Sequence, residues 1–584
     1  MELLSGNEAI AQGAWQAGAR IGVGYPGTPS TETLEAFALK DGVYAEWCVN
    51  EKVALEVGLG ASAAGARVLV TMKHVGVNVA ADPLFTAAYT GVNGGLVILA
   101  ADDPGMHSSQ NEQDSRYFAL AAHVPIMEPA DSAEALCFTK DAFDISETFD
   151  TPILIRSTVR ISHAKTLVEP GQRTEHDLRE YVTDPSKWVM MPVNAKPRRA
   201  VLDARVAALR EWVESCQYNQ VFMRDSQIGI ICSGAAYQYV TEALPQASVL
   251  KLGVSWPLPA ALLARFAEGV ERVYVVEEAS DYLSSQIRAL GVELTPTPVP
   301  LPAAGELTQG IVRAAFKLPN QATLQVPSNL PGRPPMFCAG CPHRLAFKEL
   351  GRLGVIVSGD IGCYTLGALP PLSAMDTQVD MGASVSMAHG FELALADQPK
   401  RRPVVAVIGD STFAHSGVSS LMNTVYNSGS GTVVILDNRT TAMTGRQGNP
   451  VSGLALQGRP AKELDLEALV KAMGVEDVQI IDPNNMKAVR RALRQAIGHD
   501  ELSVLIFRAP CVLLERQGAT PVTVTQDCND CGVCLMLGCP AIARDDQTGL
   551  PCIDQVQCNG CGHCEQYCAP GAIVATDALA GAET

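Results

Sequence analysis

Residues 404–411 read VVAVIGDS, an apolar run of strand length that ends in a Gly-Asp-Ser turn. Residues 432–440 read TVVILDNRT and repeat this arrangement, with Asn438 standing 28 positions after Asp410. The carboxyl ends of parallel strands meet at one edge of a sheet, where ligands bind in open α/β folds. Carboxylate, amide and phosphate oxygens are ligands that Mg²⁺ prefers. The two strand ends therefore predict a magnesium and phosphate site, although Gly-Asp-Ser alone is also a common turn without a ligand.

The same alternation of short apolar strands and helical stretches extends outward through three parts of the chain. Before residue 165, for example, an Ala-rich helical stretch at 51–66 is followed by apolar runs at 68–72 and 96–100. Such alternation indicates βαβ units and parallel sheets, so the predicted fold class is multidomain α/β. The predicted parts are residues 1–165, a linker at 166–225, a smaller α/β domain at 226–330, an α/β domain at 331–517 and a cysteine-rich domain at 518–584.

Composition excludes several classes of protein. The length of 584 residues argues for about four domains, and 47% apolar against 18% charged residues excludes disorder. A net charge of −18 argues against a nucleic-acid partner, which needs a basic surface. No secretory signal is visible, and no apolar stretch reaches the ~20 residues of a spanning helix. We therefore expect a cytoplasmic protein without membrane contact, whose cysteines stay reduced.

Ten of the 17 cysteines follow residue 510, and most of them form two closely spaced runs. The run that begins at Cys528 has the spacing Cys-x2-Cys-x2-Cys-x4-Cys-Pro, and the run that begins at Cys558 has Cys-x2-Cys-x2-Cys-x3-Cys. Two such runs are typical of two [4Fe–4S] clusters, because three thiolates on one tight loop bind three irons and the fourth comes from the other run. A pair of zinc sites is the alternative, although zinc has no need of eight thiolates in two interlocked runs.

These runs resemble a bacterial two-cluster ferredoxin, which implies how the ligands are shared between the clusters. One cluster would bind Cys528, Cys531, Cys534 and Cys568, and the other would bind Cys558, Cys561, Cys564 and Cys539. The spacing of four residues before Cys539, where three is usual, lengthens one loop but removes no ligand.

The two strand ends resemble the thiamine diphosphate motif, in which Gly-Asp-Gly precedes Asn-Asn at this spacing. Ser411 here replaces the last glycine and Asp437 replaces the first asparagine, two positions that vary among 2-oxoacid:ferredoxin oxidoreductases. The implied Mg²⁺ ligands are side-chain oxygens of Asp410 and Asn438 and the backbone carbonyl of Thr440. The implied cofactor-binding residues also include Gly409 and Ser411.

Thiamine diphosphate is active only when a buried carboxylate holds its aminopyrimidine ring in the imino form. Glu51 is the candidate, because its helical stretch resembles the pyrimidine side of 2-oxoacid:ferredoxin oxidoreductases in position and in Ala/Gly character. Periodicity alone favours a helix-capping role for such an acid, and Glu56 is the competing carboxylate. Residues 25–30, YPGTPS, resemble the family's Tyr-Pro-x-Thr-Pro turn, which implies that Thr28 lies near substrate and thiazolium. A proline-containing β-turn has the same sequence preference.

Two further loops are expected at the same edge as this turn. Lys73 and His74 follow one predicted strand, and residues 102–112 follow the next. Loops in such positions carry ligands in open α/β sheets. On this ground we include His74 among the predicted cofactor-binding residues.

A third set of cysteines matches a proximal cluster in its order along the chain. Pyruvate:ferredoxin oxidoreductases hold a [4Fe–4S] cluster beside the thiazolium through a Cys-x-x-Cys pair, a later Gly-Cys and a cysteine that follows this domain. The implied ligands are Cys338, Cys341, Cys363 and Cys511. Buried thiols without a metal, or a zinc site, are the alternatives. The remaining cysteines are expected to be ordinary buried thiols, namely Cys48, Cys137, Cys216, Cys232 and Cys552.

Across essentially the whole chain, the domain order and these motifs resemble the alpha subunits of indolepyruvate:ferredoxin oxidoreductases. The matching runs are residues 49–54, 102–116, 336–344 and 409–417. The resemblance implies oxidative decarboxylation of aryl 2-oxoacids to acyl-CoA and carbon dioxide, with coenzyme A as co-substrate and electrons passed through [4Fe–4S] clusters to ferredoxin. It implies a separate smaller beta subunit and an α2β2 heterotetramer. The resemblance implies a pyrimidine-binding domain at 1–165 and a transketolase C-terminal-like domain at 226–330. It implies a diphosphate-binding domain at 331–517 and a two-cluster ferredoxin domain at 518–584.

Other functions share part of this pattern. A sister oxidoreductase for another 2-oxoacid would share the motifs. A non-redox thiamine diphosphate decarboxylase would share Glu51, Asp410 and Asn438 but would have no use for the cysteine tail. A pure electron carrier or scaffold would share the tail but not the cofactor residues.

Overall fold

The structure is a computed structural model that describes residues 1–319, 326–330, 332, 334–399, 401–514 and 519–577. The chain divides into two compact units, Met1–Val326 and Pro327–Thr584. The predicted boundaries at 330/331 and 517/518 fall wholly or partly outside the described residues. Within the described ranges, no helix has both the length and the apolar character needed to cross a membrane.

The strands of the first unit lie in two larger sheets and one two-stranded ribbon. They are β1 (Glu2–Ser5), β2 (Ile21–Gly24), β3 (Tyr44–Trp47), β4 (Val68–Lys73), β5 (Leu96–Asp102), β6 (Ile126–Met127), β7 (Ile153–Thr158), β8 (Lys165–Val168), β9 (Gln220–Phe222), β10 (Asp225–Ser233), β11 (Ala247–Leu252), β12 (Val254–Trp256) and β13 (Arg272–Val276). The main sheet has the order β12-β6-β7-β5-β4-β2-β3, and its neighbours are parallel except for β12 against β6. The predicted α/β class with parallel sheets is confirmed.

The helices of the first unit alternate with its strands along the chain. They are α1 (Gly6–Gln16), α2 (Thr31–Ala38), α3 (Glu51–Ala63), α4 (His74–Val79), α5 (Ala81–Thr90), α6 (Ser115–Ala122), α7 (Ser132–Phe149), α8 (Val159–His163), α9 (Pro185–Trp188), α10 (Pro192–Trp212), α11 (Ala236–Ala243), α12 (Ala260–Glu268), α13 (Tyr282–Ala289) and α14 (Gln309–Ala315). The helix α3 begins at Glu51 because the Asn50 side chain accepts a hydrogen bond from the Val53 N–H.

The region predicted as a separate smaller domain is joined to the main sheet. Its own sheet has the order β13-β10-β11-β9, with three parallel strands and β9 antiparallel. Strand β12 follows directly after β11 but pairs with β6 at the edge of the main sheet. The proposed boundaries between these domains stay predictions, and this exchange of a strand explains why both regions fall within one compact unit.

The predicted linker at 166–225 packs against the main sheet's helices. Its longest helix, α10, has 21 residues. From α10, Arg198 Nε donates to the Tyr89 carbonyl at 2.7 Å and Arg205 Nη1 donates to the Ala88 carbonyl at 2.5 Å. These arginines satisfy carbonyls at the carboxyl end of α5, which a helix leaves without internal partners.

A buried ionic network also connects the main sheet to the smaller region. Five carboxylates share two guanidinium groups, and the members are Asp102, Asp114, Arg116, Glu128, Arg156, Glu277 and Glu278. Arg156 Nε lies 2.6 Å from Asp102, and Arg116 Nη2 donates to the Glu278 carbonyl at 3.0 Å. Burial raises the pKa of Asp102 and Glu277, and it raises that of Glu278 to about 7. The excess of acid therefore leaves part of this network protonated near neutral pH.

Replacing Glu278 with Gln is expected to stabilise the folded chain, and to do so more strongly as the pH rises. Burial raises the pKa of Glu278 to about 7 from its ordinary value of 4.5. The folded state therefore keeps a proton that the unfolded state has lost, and stability declines as the pH rises from 4.5 through 7. The full effect is about 3 kcal/mol. The variant should have a higher midpoint of thermal denaturation than the native chain, and this difference should be larger at pH 8 than at pH 6.

The matched control is Glu268→Gln, because Glu268 is exposed at the end of α12. This control is expected to leave the pH dependence of the midpoint unchanged. An equal advantage of Glu278→Gln at both pH values would contradict the assignment of a raised pKa to Glu278.

The second unit is built on a five-stranded parallel sheet with the cysteine-rich region attached. Its strands are β14 (Ile356–Ser358), β15 (Val404–Gly409), β16 (Thr432–Asp437), β17 (Asp477–Ile481), β18 (Ser503–Arg508), β19 (Val522–Val524), β20 (Ile542–Arg544), β21 (Pro551–Ile553) and β22 (Ile573–Ala575). The main sheet has the order β14-β15-β16-β18-β17. In the cysteine-rich region β19 pairs with β22 and β20 pairs with β21, both antiparallel.

Helices of the second unit follow the strands in the alternation expected of βαβ units. They are α15 (His343–Leu350), α16 (Ala383–Leu395), α17 (Asp410–Thr412), α18 (Val418–Tyr426), α19 (Leu466–Ala472) and α20 (Met486–Ile497). Short 3₁₀ turns span Cys363–Ala368, Leu535–Leu537 and Glu565–Tyr567, and a π-helical turn spans Phe413–Gly417. The strands β15 and β16 are wholly buried parallel neighbours, so their carboxyl ends lie side by side.

Candidate active site

The predicted magnesium ligands lie at the adjacent carboxyl ends of β15 and β16. Asp410 follows β15 and Asn438 follows β16, and both side chains are buried. Asp410 Oδ1 accepts a hydrogen bond from the Ser411 N–H at 2.8 Å, and Oδ2 accepts one from Asn449 Nδ2 at 3.3 Å. The motif spacing does not reveal Asn449, because it lies in a loop that only the fold returns to this edge.

The charge balance at this edge fits a bound cation. Burial and the neighbouring Asp437 raise the pKa of Asp410 to about 7, and Asp410 forms no ion pair with any described residue. Asp437 Oδ2, in contrast, lies 2.7 Å from Arg508 Nε. Asp410 and Asp437 are adjacent buried carboxylates, and only Asp437 has an ion-pair partner. A further positive charge beside Asp410 would therefore stabilise the pair. Carboxylate and amide oxygens at one edge are the donor set that Mg²⁺ prefers.

The remaining residues of the motif are held by short local contacts. Asn438 Oδ1 accepts a hydrogen bond from the Thr440 N–H at 3.2 Å, and the Thr441 hydroxyl donates to the Ser411 hydroxyl at 2.8 Å. A Cβ on Gly409 would lie 2.6 Å from Tyr364 Cε1, so only glycine fits here.

The amide of Asn438 also contacts a residue that sequence reasoning did not single out. Asn438 Nδ2 lies 3.3 Å from His343 Nε2. Burial lowers the pKa of His343 to about 4, so its imidazole is neutral at pH 7. His343 follows Cys341 by two positions, which brings the predicted proximal cysteines next to the magnesium edge.

In the first unit, Glu51 is the buried acid of the predicted pyrimidine side. It is the first residue of α3, and a Cβ on Gly76 would lie 2.8 Å from Glu51 Oε1. The carboxylate thus packs against the α4 backbone at a position where only glycine fits. The competing Glu56 is exposed and pairs with Lys52 on the helix surface. Burial distinguishes these two acids, which periodicity alone did not.

A group of polar side chains at the ends of β4 and β5 forms one connected arrangement, the strand-end network. Its members are Lys73, His74, Asp103, Ser108 and Ser109. Lys73 Nζ donates to the Ser108 carbonyl at 2.6 Å, and His74 Nε2 lies 3.1 Å from Ser109 Oγ. Asp103 accepts hydrogen bonds from the Ser108 N–H at 2.8 Å and from Ser109 Oγ at 2.5 Å. The two predicted strand-end loops are therefore in direct contact.

The predicted substrate threonine adjoins this network. Ser108 Oγ donates to the Thr28 carbonyl at 3.4 Å, and a Cβ on Gly27 would lie 3.0 Å from Lys73 Cβ. His74 is fully buried, and burial followed by the charge of Lys73 lowers its pKa to about 4. Its Nδ1 has no partner within the part of the chain that the structure describes. The structure thus brings Thr28, Lys73 and His74 together at one edge of the main sheet.

The four cysteines of the predicted proximal set lie close to one another. Burial, with contributions from Cys338 and Cys363, raises the pKa of Cys341 to about 12. Burial, with contributions from Cys511 and Cys338, raises that of Cys363 to about 11. Each thiol therefore lies within electrostatic range of its neighbours. The Cys511 N–H donates to the Asn438 carbonyl at 3.0 Å, which attaches this set to the magnesium edge.

The tail places Cys539 with the second cysteine run rather than with its own. Burial and the neighbouring thiols raise the pKa of Cys564 to about 12, and those thiols are Cys561, Cys539 and Cys558. These four cysteines line one small cavity. Burial raises the pKa of Cys534, with contributions from Cys528 and Cys531. The last cysteine, Cys568, packs in the apolar cluster that also contains Cys534, Cys558 and Cys564.

The loop of the proximal Cys-x-x-Cys pair lies against the second run of the tail. Asn559, which follows Cys558, donates from Nδ2 to the Ala339 carbonyl at 3.3 Å. A Cβ on Gly340 would meet Asn559 Nδ2 at 2.1 Å, and Gly340 has a φ of +73°. Only glycine allows this close approach between the two loops.

Arg344 connects the same two regions from the inside. It is 1% exposed, and Nη1 donates to the Leu537 and Gly538 carbonyls at 2.7 and 2.6 Å. Nη2 donates to the Phe337 and Cys338 carbonyls at 2.9 and 2.7 Å. Among the described residues no carboxylate pairs with it. A buried guanidinium without a counter-ion therefore lies between two loops that carry predicted cluster ligands.

The thiol groups are not arranged as single-ion sites. Among the described residues, no group of three or more His, Cys, Asp or Glu side chains is positioned to hold one metal ion.

Three of the five remaining cysteines differ from the expectation of buried thiols. Cys48 and Cys232 are buried, and burial raises the pKa of each to about 12. Cys216 and Cys552 are half-buried. For Cys137 the expectation is wrong, because it lies on the solvent-facing side of α7 and is exposed.

Two protein families match parts of this chain. Residues 12–206 match the family described as pyruvate flavodoxin/ferredoxin oxidoreductase, thiamine diP-bdg. Residues 360–507 match the thiamine pyrophosphate enzyme family, C-terminal TPP binding domain. The fold and these matches indicate the class, a thiamine-diphosphate-dependent oxidoreductase of 2-oxoacids.

The particular family follows from whole-length relatives. The indolepyruvate oxidoreductase subunit IorA of Methanothermobacter marburgensis is 40% identical, over 93% of this chain and 92% of that protein. The protein of the same name from Archaeoglobus fulgidus is 39% identical, over 93% of each chain. This chain belongs to the IorA family. A solved 2-oxoglutarate:ferredoxin oxidoreductase from Magnetococcus marinus has a TM-score of 0.46 at 18% identity, covering 54% of this chain and 64% of that one.

Proposed function

We propose that this chain is the catalytic alpha subunit of an enzyme that oxidatively decarboxylates aryl 2-oxoacids to acyl-CoA and carbon dioxide. The observation that carries the proposal is the continuity within the second unit. Asn438 at the magnesium edge contacts His343 and the backbone of Cys511, which belong to or adjoin the proximal cysteine set. A non-redox decarboxylase has no use for thiols so close to its cofactor edge. The relatives named for indolepyruvate support the aryl substrate.

The cofactor residues divide between the two sheet edges. Asp410, Asn438 and the Thr440 carbonyl would bind Mg²⁺, and Gly409 and Ser411 would line the diphosphate. When bound, thiamine diphosphate supplies the carbon nucleophile that attacks the 2-oxo group and allows carbon dioxide to leave. Glu51 would hold a proton at the pyrimidine nitrogen. Thr28 and His74 would line the reacting end of the cofactor.

The contacts between cysteine loops support an order for three [4Fe–4S] clusters. Cys338, Cys341, Cys363 and Cys511 would hold the cluster next to the magnesium edge. The Gly340–Asn559 contact supports a neighbouring position for the cluster that Cys558, Cys561, Cys564 and Cys539 would hold. The cluster held by Cys528, Cys531, Cys534 and Cys568 would lie at the end. Bound clusters would supply one-electron carriers, so a ferredoxin is the acceptor that we propose.

The enzyme that we propose contains a second kind of subunit. The whole-length relatives are each named as a subunit, and the chain covers more than nine-tenths of them. We propose a smaller beta subunit, an α2β2 heterotetramer and coenzyme A as the acceptor of the acyl group.

The test is reduction of ferredoxin by the chain co-produced with its partner subunit. Indolepyruvate, phenylpyruvate, pyruvate and 2-oxoglutarate are compared, each with and without coenzyme A. We expect turnover that requires coenzyme A and is fastest with the two arylpyruvates. Decarboxylation without ferredoxin reduction would instead identify a non-redox decarboxylase. Faster turnover of pyruvate or 2-oxoglutarate would assign the chain to a sister activity.

A further inference from the structure

Lys73 is a buried cation whose charge no described carboxylate neutralises by an ion pair. It is the last residue of β4 and is 7% exposed. Its Nζ donates to the Ser108 carbonyl at 2.6 Å. An ammonium group carries three donors, so this hydrogen bond leaves two of them for other partners. Lysine is almost never buried unless it is paired.

The charged groups around Lys73 are engaged elsewhere. Burial lowers the pKa of Lys73 to about 8, which the charge of Asp103 only partly offsets. Asp103 uses its oxygens on the donors of its own loop, namely the His107 and Ser108 N–H groups and Ser109 Oγ. The Lys73 ammonium is therefore the protein's one partly unsatisfied charge within the strand-end network as described.

The two buried arginines near this edge are occupied by acids. Arg116 lies 2.6 Å from Asp114 and Arg156 lies 2.6 Å from Asp102. Both belong to the ionic network, in which carboxylates outnumber guanidinium groups. An anionic ligand would be repelled by that excess of acid, whereas the environment of Lys73 lacks it.

The position of Lys73 relates it to both predicted catalytic residues of the first unit. On one side, Lys73 Cβ lies 3.0 Å from the position that a Cβ on Gly27 would take, and Gly27 precedes Thr28. On the other side Gly76, three residues further on in α4, packs against the carboxylate of Glu51. Lys73 and Gly76 thus belong to one short segment that contacts both the predicted substrate turn and the predicted activating acid.

We propose that Lys73 binds the carboxylate of the 2-oxoacid substrate. The proposal rests on the proposed function and deepens it, because it names the group that distinguishes a 2-oxoacid from its decarboxylated product. A single ammonium group binds a carboxylate as a point charge, without the bidentate geometry of arginine. Lys73 forms no covalent bond in this role, and its charge remains on the protein when carbon dioxide leaves.

The test compares two unreactive ligands that differ only in this group. 3-Phenyllactate carries the carboxylate, and 1-phenylpropan-2-ol carries a methyl group in its place. Binding of each to the enzyme co-produced with its partner subunit is measured by titration calorimetry. Charge-assisted hydrogen bonds contribute about 1.5–3 kcal/mol, so the native enzyme should prefer phenyllactate by roughly 10- to 150-fold.

Lys73→Met is expected to abolish this preference and to leave the affinity for the alcohol unchanged. It should also raise the KM for phenylpyruvate by a similar factor, with a smaller effect on kcat. Methionine replaces an unpaired buried charge with an apolar side chain of similar length, so the fold is expected to tolerate it. Lys73→Arg should retain part of the preference. Lys52→Met is the matched control, because Lys52 lies half-exposed on the surface of α3.

The outcomes separate this proposal from the proposed function. If the native enzyme oxidises arylpyruvates but Lys73→Met keeps the native preference and KM, the role of Lys73 is wrong and the function stands. If the native enzyme binds both ligands equally, the role of Lys73 is likewise wrong. If the native enzyme reduces ferredoxin with no 2-oxoacid, the proposed function itself fails.

Discussion

Glu51→Gln is expected to reduce the decarboxylation of arylpyruvates by roughly 10²- to 10⁴-fold, the usual contribution of a positioned proton-transfer group. Glu51 is buried against the Gly76 backbone, so its carboxylate has little freedom to turn away from a ligand at this edge. Gln has nearly the same shape but does not exchange a proton with the pyrimidine nitrogen. The measurement is the release of labelled carbon dioxide from a 1-labelled arylpyruvate.

The matched control for this variant is Glu56→Gln on the same helix. Glu56 is exposed and pairs with Lys52, so its loss should change the rate less than about twofold, as surface substitutions do. A second readout is the binding of thiamine diphosphate, which Glu51→Gln should weaken much less than it reduces the rate. Equal rates for the two variants would show that Glu51 is not the carboxylate that activates the cofactor.

Cys561→Ser is expected to abolish ferredoxin reduction and to remove about four of about twelve irons per chain, since each [4Fe–4S] cluster holds four. Cys561 lies within electrostatic range of Cys539 and Cys558 and lines the cavity that these thiols share with Cys564. A serine hydroxyl is a much poorer iron ligand than a thiolate. Iron and sulfide analysis, together with the ferredoxin assay, measures both effects.

Cys552→Ser serves as the control within the same part of the chain. Cys552 lies on β21, and neither cysteine run includes it. The control should keep the native iron content and the native rate. In Cys561→Ser, a single turnover of carbon dioxide release should persist, because the cofactor edges are untouched. Native iron content in Cys561→Ser would refute the ligand set proposed for this cluster.

The parts of the fold that the sequence predicts well are those that depend on local pattern. The runs at 68–72, 96–100 and 404–408 are buried parallel strands, because β-branched apolar residues over such lengths favour that environment. The placement of Asp410 and Asn438 at one edge followed from strand direction alone. Their exact partners did not, since Asn449 and His343 reach this edge through loops whose course depends on long-range packing.

The sequence alone does not decide which of two similar residues has a proposed role, and the tertiary structure is needed for that decision. Glu51 and Glu56 share one helix and one chemistry, and only burial separates them. The strand β12 leaves its own region to join the main sheet, a pairing that no local periodicity encodes. The contacts of Arg344 with four carbonyls are also long-range, and the sequence shows them only as one arginine after a cysteine pair.

The burial of Arg344 has a consequence for how the enzyme matures. Arg344 is buried, and no described carboxylate pairs with it. If the proposed clusters are bound, their thiolate ligands would bring the negative charge that this guanidinium lacks. The contact between the tail and the diphosphate-binding part would then gain stability on iron delivery, and cluster insertion would be the step that completes the folding of this half of the chain.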